Sequence, residues 1–413
     1  MADWRVIEGG VTAPKGFRAA GIAAGLKPSG APDLALIVSD TAAIAAGVFT
    51  TSQVRAACVD YCQQHLEARA AAQAILVNAG QANACTGPQG WQDAVTSAET
   101  LAQTLGIAVE SVLVASTGVI GQPLNMAALT AGIPPLVAAL SGTGSDAAAQ
   151  AIVTTDLVPK SIALELEMDD RPVRVGGIAK GSGMIHPNMA TLLAFVTCDA
   201  TVSPPLWQAM LRRAADRSFN QITVDGDTST NDSLLALANG QSRAVAITEP
   251  GPAADRLEAM LTAVCAHLAK AIARDGEGAT CLLEVTATGA PDDAAARLVA
   301  RTIAGSALTK AAIFGRDPNW GRIAAAAGRA GVPFELKNLR VQLGNFVLME
   351  QGQPLPFDRA AASAYLKQAS AGEYLKTDTV TIHVAIGSGP GQGTAWGCDL
   401  SYDYVRINAE YTT

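Results

Sequence analysis

The chain has 413 residues, 49% of them hydrophobic, 16% charged and only 5% aromatic, with a formal net charge of −8. That length exceeds one small core and suggests about two or three units, while the Ala- and Gly-rich composition is that of a packed globular protein and excludes a disordered one. The acidic balance and the lack of a basic run argue against nucleic acid, so small anionic ligands must be met by a few local cations.

Seven cysteines, an odd number, form no disulfide framework, and buried free thiols are expected. The opening MADWRVIEGG has no basic patch followed by a long apolar stretch, and charges, Pro or Gly interrupt every alanine-rich segment. A cytosolic protein with neither secretory signal nor membrane span is therefore expected.

In chain order, Gly9, Gly10, Pro14 and Gly16 give a loop-rich start, and the apolar run 34–38 reads as a buried strand. Cys58, Cys62 and His65 have helical spacing but lack a second ligand pair, so zinc is not expected. Residues 74–77 form another short strand, ending in the turn formers Asn78, Gly80 and Asn83. Cys85 could serve as a thiol nucleophile, but a small core cysteine after a turn explains it equally well. Residues 91–105 are helical, with Gly106 as the stop.

Residues 112–115 form a strand running into Ser116, Thr117 and Gly118, a small polar end of the kind that offers backbone N–H groups to an oxyanion. A simple turn is the alternative. Residues 125–140 read as a helix interrupted or bent at Pro134 and Pro135. Beyond them come Thr154, Thr155 and Asp156, then a weakly alternating run, 173–178, that reaches Lys180.

Residues 176–200, GGIAKGSGMIHPNMATLLAFVTCDA, pass abruptly from a Gly-rich loop to a buried strand that starts at Thr191. A threonine there has a chemical use if the preceding peptide can be broken. Its hydroxyl attacks the carbonyl of Ala190, the acyl group shifts from nitrogen to oxygen, and water releases a chain beginning with Thr191. The new α-amine, with an ordinary pKa of about 7.7 to 8.0, can then act as base for its own hydroxyl. A core strand with Thr191 as an ordinary edge residue is the alternative.

Ser203, Pro204 and Pro205 start a helix over 206–217. FNQITVDGDTSTND follows, in which Asp225, Asp227 and Asp232 resemble a calcium loop without its closing glutamate, so a hydrogen-bonded turn near the active centre is expected rather than a metal. Residues 255–273 form a long amphipathic helix ending at Asp275, Gly276, Glu277 and Gly278. Strands at 279–287 and 380–386, a helix within 297–315, two strands within 334–349 and a short helix at 358–370 complete the pattern. In FGRDPNWGRI, Arg316 and Arg322 either hold an acidic ligand or clamp an internal aspartate. GSGPGQGTAWG reads as a flexible loop without the ending of a phosphate loop. Tyr402, Tyr404, Val405 and Ile407 alternate like a strand that would pin the tail to the body. The irregular mixture of strands and helices gives layered α/β.

KGSGMIHPNMATLLAF, residues 180–195, resembles the self-cleavage site of the ornithine acetyltransferases, or glutamate N-acetyltransferases, of cyclic arginine biosynthesis. EGGVTAPKGFRAAGI, NAGQANACTG, STGVIG, AIVTTD, FNQITVDGDTSTND, DGEGAT, FGRDPNWGRI and RINAEYTT extend the likeness along the chain. Leu192, where relatives often have methionine, and Cys198 depart from the pattern but keep apolar or small character. The resemblance implies an α/β fold of layered sheets sandwiched by helices, shared with N-terminal-nucleophile aminopeptidases.

It further implies cleavage between Ala190 and Thr191 into an alpha chain, residues 1–190, and a beta chain, residues 191–413, assembled as a heterotetramer of two alpha and two beta chains. Thr191 would be the nucleophile, and Thr117 and Gly118 the oxyanion hole. Thr154, Lys180, Thr191, Glu277, Asn408 and Thr413 would bind substrate, Lys180 facing a carboxylate and Glu277 an ammonium. The implied reaction carries an acetyl group from N-acetylornithine through Thr191 to glutamate, with no cofactor or metal. Some members also accept acetyl-CoA; no motif separates the two kinds, and we favour the bifunctional one. The alternative is an N-terminal-nucleophile hydrolase or aminopeptidase passing the acyl group to water, and a third is a binding protein with an intact chain.

Overall fold

The computed structural model describes residues 4–186 and 192–410. Its strands in chain order are β1 (Trp4–Ile7), β2 (Phe17–Ile22), β3 (Leu34–Phe49), β4 (Ala71–Gln81), β5 (Val112–Val119), β6 (Lys160–Met168), β7 (Arg171–Lys180), β8 (Leu193–Cys198), β9 (Ile222–Thr223), β10 (Ser233–Ala238), β11 (Leu282–Ala290), β12 (Arg340–Leu343), β13 (Phe346–Glu350), β14 (Gln353–Pro354), β15 (Thr379–Ala385) and β16 (Gly391–Cys398). The α-helices are α1 (Ala57–Ala68), α2 (Gly87–Leu105), α3 (Met126–Ala138), α4 (Ser145–Ile152), α5 (Pro204–Asp216), α6 (Pro252–Arg274), α7 (Asp293–Ala304), α8 (Ala307–Phe314), α9 (Trp320–Gly328), α10 (Arg359–Ala369) and α11 (Tyr402–Glu410).

One sheet has the order β1-β6-β7-β8-β10-β3-β4-β5, with β2 also on β3; the other runs β14-β13-β12-β15-β11-β16-β9. At the centre of the first sheet, β8 (LAFVTC) and β10 (SLLALA) pair in parallel, and every residue of both is buried. Such strands read as continuous apolar runs because helices cover both faces: α1 to α4 on one side, α5 and α6 on the other. Helix α6 also meets the second sheet, whose β11 turns Leu282 and Glu284 toward it, Glu284 pairing with Lys270 at 2.6 Å. Leu283, Val285 and Ala287 of β11 face α7 on the far side. Helix, sheet, helix, sheet and helix thus stack in layers, the sandwich expected from the sequence. Two of the strands that follow residue 190, β8 and β10, lie between β7 and β3, so segments before and after that point share the first sheet.

Several local expectations are corrected. The GSGPGQGTAWG segment is a loop only over residues 387–390; from Gly391 it is β16, which runs between β11 and β9. Its glycines allow α7 to approach: a Cβ would fall 2.2 Å from the Asp292 carbonyl carbon at Gly391 and 2.5 Å from the Arg297 nitrogen at Gly393. The run 34–38 is the start of a strand that continues to Phe49 through an irregularity between Val38 and Ala43. Helix α3 continues through Pro134 and Pro135, both exposed, where water can take the carbonyls that lose an N–H partner. The helix expected within 297–315 is two, α7 and α8, divided at Gly305. Cys85 is exposed rather than a core residue, while the other six cysteines are buried. The approach to the tail is helix α11, not a strand: Tyr402 and Val405 are 84% and 65% exposed, and Tyr404 and Ile407, three apart, form the half-buried face. In FGRDPNWGRI the arginines meet internal groups, Arg316 facing Asp399 at 3.8 Å and Arg322 donating to the Leu308 carbonyl at 3.0 Å.

Candidate active site

The site forms where β4 and β5 run out in parallel, with Ala79 opposite Thr117 and Gly80 opposite Gly118. Gly118 has φ 129°, and a Cβ there would lie 2.2 Å from the Gly80 carbonyl carbon. Only glycine permits that approach. Asn231 braces both strand ends, its amide donating to the Ala82 carbonyl at 2.5 Å and the Ser116 carbonyl at 2.8 Å.

Lys180 ends β7 and does not stand in the expected Gly-rich loop, since the strand takes in Gly176 and Gly177; it donates to Thr117 Oγ1 at 3.2 Å and Thr154 Oγ1 at 2.7 Å. Burial lowers the pKa of its ammonium; Asp156 opposes this, Lys160 adds to it, and Asp232 and Glu277 oppose it further. Beneath it lies a buried ionic group, in which Lys160 Nζ contacts Asp156 and Asp275, each at 2.6 Å. Asp156 also accepts the Gly181 N–H at 2.7 Å. Burial alone would raise the Asp156 carboxyl, but Lys160, Lys180 and the Gly181 N–H outweigh it and hold the group at about 2. Burial dominates at Asp275, whose pKa is raised against the pull of Lys160.

Glu277 enters from the turn after α6 and accepts the Asn408 amide at 2.8 Å. Gly278, at φ +71°, lets α11 seat against that turn, since a Cβ would lie 2.7 Å from both Ser401 Oγ and the Tyr404 nitrogen. Ser401 Oγ donates to the Gly278 carbonyl at 2.7 Å and accepts the Asp403 N–H at 3.1 Å, which starts the helix.

The segment 223–233 holds both flanks of residues 187–191. On the near side Asp225 accepts the Met184 and Ile185 N–H groups at 2.6 and 2.8 Å, Thr228 Oγ1 donates to the His186 carbonyl at 3.0 Å, and the His186 ring meets Thr223 Oγ1 at 2.9 Å. On the far side Ser233 N–H donates to the Leu192 carbonyl at 2.9 Å. FNQITVDGDTSTND is thus the hydrogen-bonded turn expected of it. Burial, then Arg301, lowers His186 to about 4 against Asp227.

Thr117, Gly118, Thr154, Lys180, Glu277 and Asn408 line one cavity of about 490 Å³, together with Leu192, Leu193, Asn231 and Lys27. Ala190, Thr191 and Thr413 lie outside the described residues. The cavity joins a close-packed strand end, two ammonium groups, Lys180 buried and Lys27 half-buried, and two carboxylates, Asp232 buried and Glu277 half-buried, a set that can hold an amino acid by both its charges. Sequence reasoning missed Lys27, Asn231, Lys160 and the roles of Asp156 and Asp275. The four-residue spacing of Asp156 and Lys160 was visible; the pairing with Asp275, 115 residues from Lys160, was not. Among the described residues no group of three or more His, Cys, Asp or Glu is placed to hold a metal, and no helix is long and apolar enough to cross a membrane.

The ArgJ family model matches residues 18–413. The Arginine biosynthesis bifunctional protein ArgJ of a Synechocystis species is 74% identical over 413 residues, covering 100% of both chains. ArgJ 1 of a Nostoc species is 75% identical over 413 residues, again covering 100% of both. A solved structure of ornithine acetyltransferase complexed with ornithine, from Mycobacterium tuberculosis, matches 45% of this chain and 100% of that chain, at 47% identity and a TM-score of 0.43.

Proposed function

The chain belongs to the ArgJ family, and on that premise we propose that it carries an acetyl group from N-acetylornithine to glutamate in arginine biosynthesis, through an ester on Thr191, with acetyl-CoA as a second donor. Thr191 becomes a chain terminus by cleavage of the Ala190–Thr191 bond. Its Oγ then attacks the acetyl carbonyl while the neighbouring α-amine takes the hydroxyl proton. The oxyanion is received at Thr117 and Gly118, where each donor contributes about 3 to 4 kcal/mol of barrier reduction. Collapse breaks the C–N bond, returns the proton to the leaving amine and releases ornithine. The neutral α-amine of glutamate next attacks the ester, its proton goes to the Thr191 amine and on to the departing Oγ, and N-acetylglutamate leaves. One amide replaces another, so the exchange needs no outside energy source.

The observation that carries this reading is the single cavity reached by Leu192, with the Thr117–Gly118 strand end, the Lys180 ammonium and the Glu277 carboxylate on its wall. Lys180 suits an α-carboxylate and Glu277 the ornithine ammonium. The hydrolase alternative is not favoured, since relatives at 74% and 75% identity carry the biosynthetic ArgJ name. Because segments from both sides of residue 190 share one sheet, the two fragments would stay together after cleavage; a heterotetramer of two alpha and two beta chains and a cytoplasmic location belong to the same proposal. With N-acetylornithine and glutamate, ornithine and N-acetylglutamate should appear in equal amounts, and glutamate with acetyl-CoA should release CoA. Ornithine without N-acetylglutamate would mean a hydrolase, and no CoA release would remove the second donor.

A further inference from the structure

We propose that Lys27 is a second cation of the cavity and selects the acyl acceptor, receiving the side-chain carboxylate of glutamate; the assignment rests on the acetyl-transfer reading above. Lys27 stands on a built loop. The wholly buried Asp33 accepts the N–H groups of Ala24, Leu26 and Lys27 at 2.7, 2.6 and 2.8 Å. The Gln81 amide donates to the Leu26 carbonyl at 2.8 Å, and that carbonyl oxygen would lie 2.9 Å from a Cβ on Gly80. The loop is therefore docked on the end of β4, whose Gly80 pairs with Gly118 of β5.

The ammonium is equally fixed. Lys27 Nζ donates to the Pro32 carbonyl at 2.6 Å and the Val153 carbonyl at 2.8 Å. An ammonium has three N–H donors, and with two held by backbone among the described residues, the third is left for the cavity that Lys27 lines. Two ammonium groups thus meet consecutive residues, Lys27 at the Val153 carbonyl and Lys180 at the Thr154 hydroxyl. Burial lowers the Lys27 pKa, Asp33 opposes this, Lys180 adds to it and Asp156 opposes it in turn, so an incoming carboxylate relieves what remains of the repulsion between the two ammonium groups.

The two amino acids of the reaction differ in the charge such a pair reads. At the moment of attack glutamate has a neutral α-amine and two carboxylates. Ornithine has a single carboxylate and a side-chain ammonium. With Lys180 on the α-carboxylate common to both, Lys27 attracts the glutamate side chain and repels that of ornithine, so selection combines a favourable contact with a repulsive one.

The test compares glutamate with glutamine, its uncharged near-isostere, as acceptor in the self-processed parent, Lys27→Met and Lys27→Arg. Acetyl-enzyme formation from N-acetylornithine in each preparation is the internal reference. The preference for glutamate in kcat/KM should fall about tenfold to a hundredfold in Lys27→Met, mainly through KM, the size expected for a lost hydrogen bond to a charged group. Lys27→Arg should restore most of it. An unchanged preference in Lys27→Met overturns the proposal, whereas a parent that forms no acetyl-enzyme sinks the acetyl-transfer reading instead. If Lys27→Met does not fold, the parent decides: glutarate should compete with glutamate about tenfold more strongly than its mono-amide, and equal competition overturns the proposal.

Discussion

Replacing Lys160 by methionine removes the cation from a fully buried ionic group and should weaken fold and site together. The Lys160 and Asp156 side chains are 0% exposed and that of Asp275 2%, with both ion pairs at 2.6 Å. Lys160 also donates to the Val158 carbonyl at 3.1 Å. Methionine fills nearly the same volume, so the loss is electrostatic rather than a cavity. Breaking a buried pair by removing one partner costs about 3 to 5 kcal/mol. Asp156 keeps Lys180 and the Gly181 N–H, so Asp275, already raised by burial, is the group that takes a proton.

The sign of the pH dependence follows. With its folded pKa above an unfolded value of about 3.9, Asp275 destabilises the variant increasingly as pH rises from the unfolded toward the folded pKa. The deficit in melting temperature relative to the parent should be larger at pH 8 than at pH 5. Asp156 should draw the Lys180 ammonium away from Thr154, raising KM for N-acetylornithine. Thermal melts across pH and steady-state kinetics on the same preparations check both effects. A deficit under about 1 kcal/mol, or one that grows as pH falls, would refute the reasoning.

Gly118→Ala should lower kcat by about a hundredfold or more, because a Cβ 2.2 Å from the Gly80 carbonyl carbon must push the strand ends apart and displace the oxyanion donors; acetyl-enzyme formation rates check it. Glu277→Gln keeps the shape and an acceptor for Asn408 but removes the charge. It should raise KM for N-acetylornithine by about tenfold or more with a smaller effect on kcat, read from initial rates. His186, held at about 4, stays neutral in the fold below its unfolded pKa of about 6.5. Stability should therefore decline as pH falls from that unfolded value toward 4, and His186→Gln should flatten that limb of a melting-temperature profile.

Legibility in the sequence followed the range of the physics. The apolar run of β8 announces itself because a parallel strand covered on both faces needs apolar residues throughout, whereas the equally apolar SLLALA of β10 went unread behind the polar segment that precedes it. Thr117, Gly118, Thr154, Lys180, Glu277 and Asn408 could be named because they lie in motifs, and the fold brings them to one cavity. Contacts between distant segments left no local trace: Asn231 reaches Ala82 and Ser116, 149 and 115 residues away. Glycine misled at β16, where the missing Cβ admits α7 rather than a turn. The tail misled because Tyr402, Tyr404, Val405 and Ile407 suit a two-residue alternation, while Tyr404 and Ile407 also fit the helical spacing that α11 adopts.

Mass spectrometry of the purified protein under denaturing conditions, before and after brief incubation with N-acetylornithine and acid quenching, tests the central claim most directly. The parent should give two fragments divided between Ala190 and Thr191, with a single acetyl group mapped by peptide fragmentation to Thr191 and discharged on adding glutamate; Thr191→Ala should remain one chain without it. Two fragments from Thr191→Ala without protease, or an acetyl group carried on another residue, would contradict the account.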